Sequence, residues 1–226
     1  MKGTLFGVGV GPGDKKLLTL LAVETLKNAG KIVVPDTGGE NISLNVVKEF
    51  IEDKEKIFCK MPMTRDEKLL RESHELCADI ICKELDNGLD MAFITLGDPT
   101  IYSTYMYVHR LVLERGYNAQ IINGVPSFCA AAARLNISLC DSGQTLHIIP
   151  ASYEGMDEYL KIKGNKVLMK SGKSILKVKE KLEEFDLLNK AKMVECCFME
   201  NEKIFESLSE VERESSYFST IIVKGE

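Results

Sequence analysis

Residues 89–99, LDMAFITLGDP, form a nearly continuous apolar run that stops abruptly at a Gly-Asp-Pro turn. A parallel strand buried on both faces of a sheet has this pattern, because apolar helices cover both of its sides. A helix is predicted over residues 101–115 and a further strand over residues 118–122. This strand-helix-strand order indicates a right-handed crossover in a parallel sheet.

The same alternation extends back to the beginning of the chain. Thr64, three residues before Glu67, has the spacing of a capping box and predicts the start of a long helix that ends near residue 87. The remaining predicted strands of the first half cover residues 3–10, 31–35 and 56–59, and its other helices cover residues 17–29 and 44–51.

The regular alternation of strands and helices ends after residue 123, where a helix rich in small side chains begins. Strands are predicted at 146–150, 166–170, 191–196 and 217–224, and helices at 156–162 and 174–185. Residues 200–214 are highly charged and only weakly helical, so the later strands are expected to pair antiparallel. We therefore expect an α/β fold of two lobes, residues 1–123 and 124–226.

Composition narrows the classes of function. The 226 residues carry 29 Lys and Arg against 34 Asp and Glu, a formal charge of −5 that offers no global attraction to nucleic acid or an anionic membrane. The sequence predicts neither a membrane span nor a secretory signal, and we expect a cytoplasmic protein. The seven cysteines and three histidines lack metal-site spacing, so reduced thiols and no protein-bound metal are expected.

Two glycine-rich stretches resemble nucleotide motifs without matching them. Around Gly7 and Gly9 the dinucleotide fingerprint would require a glycine where Pro12 or Asp14 stands. Gly172-Lys173-Ser174 resembles the end of a phosphate loop, but Val167 occupies the position of the loop's first glycine. The first loop is therefore either a ligand-binding turn or a tight strand-to-helix turn.

Three glycine-bearing loops follow predicted strands, at residues 9–14, 96–99 and 124–128. Ligands of open parallel sheets collect at the carboxyl ends of the strands, so we expect a binding site there. Asp98 is expected either to accept hydrogen bonds from a ligand or to cap the following helix.

These loops, GVGPGD, LGDP and GVPSF, resemble the tetrapyrrole methylase family in order and spacing over essentially the whole chain. Residues 95–107, TLGDPTIYSTYMY, and 124–135, GVPSFCAAAARL, are similar to the branch that methylates C20 of precorrin-2 in cobalamin biosynthesis. The resemblance implies two α/β lobes with the active site in the cleft between them, a homodimer, and S-adenosylmethionine as co-substrate.

The resemblance also implies roles for individual residues. The proton acceptor stays unidentified, with Asp36 and Tyr105 as candidates, and the basic residues Arg65, Arg71, Lys170 and Lys173 are expected to hold carboxylates of the tetrapyrrole. The residues implied to contact the cofactor are Pro12, Leu96, Gly97, Asp98, Ile101, Ser127, Phe128 and Met169.

The implied reaction is methylation of C20 on precorrin-2, and we expect the cobalt form of this substrate. Two alternatives stay open at this stage. One is a sibling methylase that acts at another ring position, and the other is a nucleotide-binding α/β module without turnover.

Overall fold

A computed structural model describes residues 2–153 and 155–225 of the chain. The chain forms two compact units, Met1–Pro126 and Ser127–Glu226. The boundary predicted after residue 123 falls inside the first unit. Each unit contains one five-stranded sheet with helices packed on it, which confirms the α/β class.

The first unit alternates strands and helices throughout. Its sheet has the order β3-β2-β4-β1-β5, and all neighbouring strands are parallel. The carboxyl ends of all five strands therefore lie along one edge of the sheet. The elements are β1 Thr4–Gly9, α1 Leu20–Asn28, β2 Lys31–Asp36, α2 Ile42–Val47, β3 Glu55–Lys60, α3 Glu67–Asp86, β4 Met91–Thr95, α4 Tyr105–Glu114 and β5 Asn118–Ile122.

The two faces of this sheet carry separate apolar cores, as the two-residue period of a strand requires. In β2, Val33 packs in the core with α3 and α4, whereas Ile32 and Val34 pack in the core with α1 and α2. Burial on both faces explains why the strands are nearly continuous apolar runs.

The second unit contains a mixed sheet in the order β6-β7-β10-β8-β9. Only β6 and β7 are parallel, while β10 pairs antiparallel with both β7 and β8, which confirms the expected antiparallel pairing. The elements are α5 Ser127–Arg134, β6 Leu146–Pro150, α6 Met156–Lys161, β7 Asn165–Met169, α7 Ile175–Glu184, β8 Ala191–Glu195, β9 Lys203–Phe205 and β10 Ser219–Val223.

Two predictions from composition can be compared with the described part of the chain. Within it, no helix is both long enough and apolar enough to cross a bilayer. All seven cysteines are free thiols, and five of them are buried, as expected for thiols that pack as small apolar side chains.

Candidate active site

The loops after β1 and β4 remain paired beyond the ends of their strands. The Val10 amide donates to the Thr95 carbonyl at 2.9 Å. Gly11 and Gly97 then form an isolated bridge, in which the Gly97 amide donates to the Gly11 carbonyl at 2.7 Å and the Gly11 amide to the Gly97 carbonyl at 3.2 Å. The two loops therefore form one continuous backbone surface at the carboxyl edge of the first sheet.

Three glycines, one from each strand-end region, allow these backbones to touch. A Cβ atom on Gly124 would lie 2.2 Å from the Gly97 carbonyl oxygen and 2.7 Å from the Gly9 carbonyl carbon. A Cβ atom on Gly9 would lie 2.5 Å from the Gly124 nitrogen. Any side chain at Gly9 or Gly124 would force the loops apart, so the glycine density of the sequence reflects close packing of backbone on backbone.

Asp98 joins the loop after β4 to the loop after β5. The residue is only 5% exposed, and its carboxylate accepts four hydrogen bonds. Oδ1 accepts from the Thr100 amide at 2.8 Å and the Thr100 hydroxyl at 2.5 Å. Oδ2 accepts from the Asn123 side-chain amide at 3.0 Å and the Gly124 backbone amide at 3.1 Å. The Asp98 side chain is thus a clamp between loops.

This geometry contradicts the expected capping role of the Asp98 side chain and gives it a structural role that the sequence did not predict. The side chain does not cap α4, which begins only at Tyr105, and the hydrogen bonds within the protein already occupy both of its oxygens. Burial raises the pKa of Asp98, but the hydrogen bonds from Thr100, Asn123 and Gly124 outweigh burial and hold the pKa below its usual value. The charged form of the clamp is therefore the stable form.

Tyr105, a candidate proton acceptor, is a core residue, and the structure contradicts that expectation. Its ring is fully buried and fills the space beside Gly7, where a Cβ atom would lie 2.0 Å from the ring. Its hydroxyl donates to the Gln120 carbonyl at 2.9 Å and lies 2.9 Å from Nδ1 of His109. Burial raises the pKa of Tyr105, so this phenol stays protonated and cannot act as a base at neutral pH.

Asp36, the other candidate, is the last residue of β2 and lies at the same sheet edge as the three loops. It is partly exposed, and its Oδ1 accepts a hydrogen bond from the Gly38 amide at 2.9 Å. Its position at the strand end and its partial exposure leave this carboxylate able to meet a ligand.

The predicted cofactor residues fall into two groups along the chain. In the first unit, Pro12 and Gly97 are buried in the paired loops, and the apolar side chains of Leu96 and Ile101 are half-buried. In the second unit, Ser127 and Phe128 begin α5, and Met169 is the last residue of β7. The structure therefore brings Pro12 and residues 96–101 together at one sheet edge.

Sequence reasoning missed Thr100 and Asn123, the partners of Asp98, and Ser171 in the second unit. Asn123 stands directly before Gly124, so its place in the third loop was visible in the sequence. The burial of Ser171 was not, because its surroundings come from elements distant in the chain. Among the described residues, no group of three His, Cys, Asp or Glu side chains converges as a metal site would require.

The known proteins that this chain resembles belong to one family. A model of the Tetrapyrrole (Corrin/Porphyrin) Methylases matches residues 4–212. A Methanocaldococcus jannaschii protein named "Probable cobalt-precorrin-2 C(20)-methyltransferase" is 39% identical over 74% of this chain and 72% of its own length. The cobalt-precorrin-2 C(20)-methyltransferase of Salmonella typhimurium is 28% identical over 99% of this chain and 97% of its own length.

Solved structures show the same fold at low sequence identity. A cobalt precorrin-4 methyltransferase superposes with a TM-score of 0.76 at 20% identity, covering 98% of this chain and 94% of that one. The uroporphyrin-III C-methyl transferase of Thermus thermophilus, complexed with S-adenosyl homocysteine, gives 0.72 at 18% identity, covering 98% and 97% of the two chains. The chain belongs to the tetrapyrrole methylase family.

Proposed function

We propose that this chain is an S-adenosylmethionine-dependent methyltransferase that methylates C20 of precorrin-2, in its cobalt form, during cobalamin biosynthesis. The observation that carries the proposal is the 39% identity to the Methanocaldococcus jannaschii relative over three quarters of the chain. The Salmonella typhimurium relative, whose name specifies the same substrate and ring carbon, supports it over nearly the full length.

The residues at the sheet edge fit the cofactor. S-adenosylmethionine combines an adenine ring with a charged sulfonium and an amino-acid tail, so it needs apolar surface and polar backbone groups together. The half-buried Leu96 and Ile101 offer the apolar surface beside the paired backbones of Gly11 and Gly97. The residues that would hold the cofactor are Pro12, Leu96, Gly97, Asp98 and Ile101 from the first unit and Ser127, Phe128 and Met169 from the second.

Few catalytic side chains are needed for this reaction. S-adenosylmethionine supplies an already activated methyl group, so the protein must align the acceptor carbon and exclude water. The rigid packing of Gly9, Gly97 and Gly124 favours such alignment, because the loops cannot move apart without breaking the Asp98 clamp. Asp36 is the proposed acceptor of the proton that leaves the ring carbon.

Basic side chains are proposed to hold the carboxylates of the tetrapyrrole, although the net charge is negative. Arg65, Arg71 and Lys173 are exposed, and Lys170 is half-buried. Guanidinium and ammonium groups bind carboxylates through charge-assisted hydrogen bonds, which are stronger than neutral ones. In this proposal the cobalt ion is carried by the tetrapyrrole substrate and is not bound by the protein alone.

We also propose that the enzyme is a cytoplasmic homodimer. Apolar side chains on α3 and α4 support dimerisation, since Leu76 is 60% exposed and Tyr107 is 54% exposed. The free thiols support a reducing compartment. Sedimentation equilibrium should give twice the chain mass, and Leu76→Asp should reduce it to a single chain. A monomeric wild type would contradict the proposal.

The activity itself is tested by anaerobic turnover. Purified protein is incubated with precorrin-2 or its cobalt form and with S-adenosylmethionine that carries a trideuterated methyl group. We expect one labelled methyl group per ring, added faster to the cobalt form. Faster turnover of the metal-free ring would reject the cobalt preference, and binding of the cofactor without any turnover would favour a non-catalytic module.

A further inference from the structure

We propose that the N-terminal end of α7 is a carboxylate-binding site built from Ser171, Gly172 and Lys173. The inference rests on the proposed function, because the carboxylate would belong to the cofactor's amino-acid tail or to the tetrapyrrole. These residues follow β7 after one intervening residue, Lys170, and stand at the carboxyl end of the parallel β6–β7 pair. Strand ends of this kind are where open sheets bind ligands.

The hydroxyl of Ser171 is the observation that points to a ligand. Ser171 is 1% exposed, and its Oγ has no hydrogen-bond partner within residues 2–153 and 155–225. Native proteins satisfy nearly all buried polar atoms, because a buried hydroxyl without a partner loses its hydration and gains nothing. A ligand that brings its own polar atom would supply the missing partner.

The helix that follows has no side-chain cap. A short 3₁₀ turn, Gly172–Ser174, leads into α7, which has ten residues. Ser171 and Ser174 precede these two segments, yet neither side chain accepts a hydrogen bond from the first turn. The Ser174 and Ile175 amides already donate to the Ser171 and Gly172 carbonyls, so the amides left without an acceptor within the described chain are those of Gly172 and Lys173. The first N–H groups of a helix favour negative charge beside them.

The charges at this end match an anion. Lys173 is exposed and forms no ion pair with any carboxylate of the described chain. Neither the 3₁₀ turn nor the first turn of α7 contains an acidic side chain that would compete for the Gly172 and Lys173 amides. Three consecutive residues therefore supply a hydroxyl donor, two backbone N–H groups without an acceptor and an ammonium group.

The donor set suits one carboxylate better than a chain of phosphates. In a phosphate loop, a glycine-rich turn wraps several N–H groups around the ligand. Here the corresponding segment is β7 itself, with Val167 fully buried in the sheet and paired with Ile222. The few donors that remain match the two oxygens of a carboxylate.

Two variants and a matched control test the site by binding, without turnover. Ser171→Ala and Lys173→Gln remove the hydroxyl and the ammonium group, and Lys177→Gln removes an exposed lysine from the next turn of the same helix. The probes are S-adenosylhomocysteine, 5′-methylthioadenosine, which has the same nucleoside but no carboxylate, and uroporphyrin III, a tetrapyrrole octacarboxylate. Calorimetry or fluorescence titration gives the dissociation constants.

We expect each site variant to weaken a carboxylate-bearing probe by about tenfold and to leave 5′-methylthioadenosine unchanged. Weaker S-adenosylhomocysteine binding assigns the carboxylate to the cofactor, and weaker uroporphyrin III binding assigns it to the tetrapyrrole. Unchanged binding of both probes, equal loss of 5′-methylthioadenosine, or the same loss in Lys177→Gln would overturn the site.

Thermal unfolding gives an independent readout. Because the Ser171 hydroxyl has no partner in the protein, Ser171→Ala should leave the melting temperature unchanged or raise it. A lower melting temperature of Ser171→Ala would mean that the hydroxyl stabilises the folded protein, which would contradict the proposal. If the wild type fails to methylate precorrin-2 while the binding differences persist, the proposed function fails and the carboxylate site stands.

Discussion

At the scale of single residues, Asp98 connects the packing of the loops with the proposed binding of the cofactor. We predict that Asp98→Ala costs about 1–3 kcal/mol of unfolding free energy and weakens S-adenosylhomocysteine binding, because the Thr100, Asn123 and Gly124 donors lose their shared acceptor. Urea denaturation and calorimetry measure the two effects. Thr100→Val, which removes one donor and leaves the Asn123 and Gly124 bonds, should cost less than Asp98→Ala.

The pH dependence of the same clamp follows from its lowered pKa. A carboxyl group whose folded pKa lies below its unfolded value of about 3.9 stabilises the protein fully above that value. This stabilisation is lost as the pH falls through the folded pKa. The unfolding free energy of wild type minus that of Asp98→Asn should therefore be constant from about pH 5 to 7 and shrink below about pH 4. A difference that shrinks near neutral pH would contradict this account.

Tyr105→Phe separates a core role from a catalytic one. Removing the hydroxyl breaks the hydrogen bond to the Gln120 carbonyl but keeps the ring that packs on Gly7. We expect a loss of about 1 kcal/mol in unfolding free energy and unchanged kcat for methyl transfer. Loss of kcat by a hundredfold or more in a folded variant would restore the phenol as a catalytic group.

At the scale of elements, the close approach of three loops predicts that the cost of replacing glycine by alanine depends strongly on the position of the glycine. Gly124→Ala would put a Cβ atom 2.2 Å from the Gly97 carbonyl oxygen, so the loops must separate. We expect a cost of about 1–3 kcal/mol and weaker S-adenosylhomocysteine binding. Gly143→Ala is the matched control, because a Cβ atom there meets nothing within 4 Å. Equal stability of the two variants in urea would contradict the loop packing.

Periodicity in the sequence predicted the strands better than the helix ends. Strands β5 and β6 have the predicted limits, because apolar runs bounded by polar residues mark a buried strand clearly. Helix α4 begins at Tyr105, four residues later than predicted, since Asp98 holds the intervening turn through Thr100. Helix α3 begins after Asp66, which caps the Lys68 and Leu69 amides, whereas Thr64 accepts only from Asp66. Local hydrogen bonds decide which of several nearby polar residues begins a helix, and the sequence pattern cannot rank these residues.

At the scale of the whole molecule, the sequence predicted the α/β class and the three loops at strand ends. It could not predict the Asp98 clamp or the unpartnered Ser171 hydroxyl, because each depends on which groups surround the side chain in three dimensions. The periodicity of the sequence also cannot indicate which ring carbon is methylated. That choice comes from similarity to relatives whose names specify C20.

Methylation at C20 is tested most directly by locating the transferred methyl group on the product ring. Cobalt-precorrin-2 is incubated anaerobically with the purified protein and S-adenosylmethionine carrying a ¹³C-labelled methyl group. The product ring is then examined by carbon NMR with long-range proton correlations. We expect the label to be bonded to C20 and to no other ring carbon. Label on any other carbon would reject methylation at C20 and assign the chain to another branch of the family.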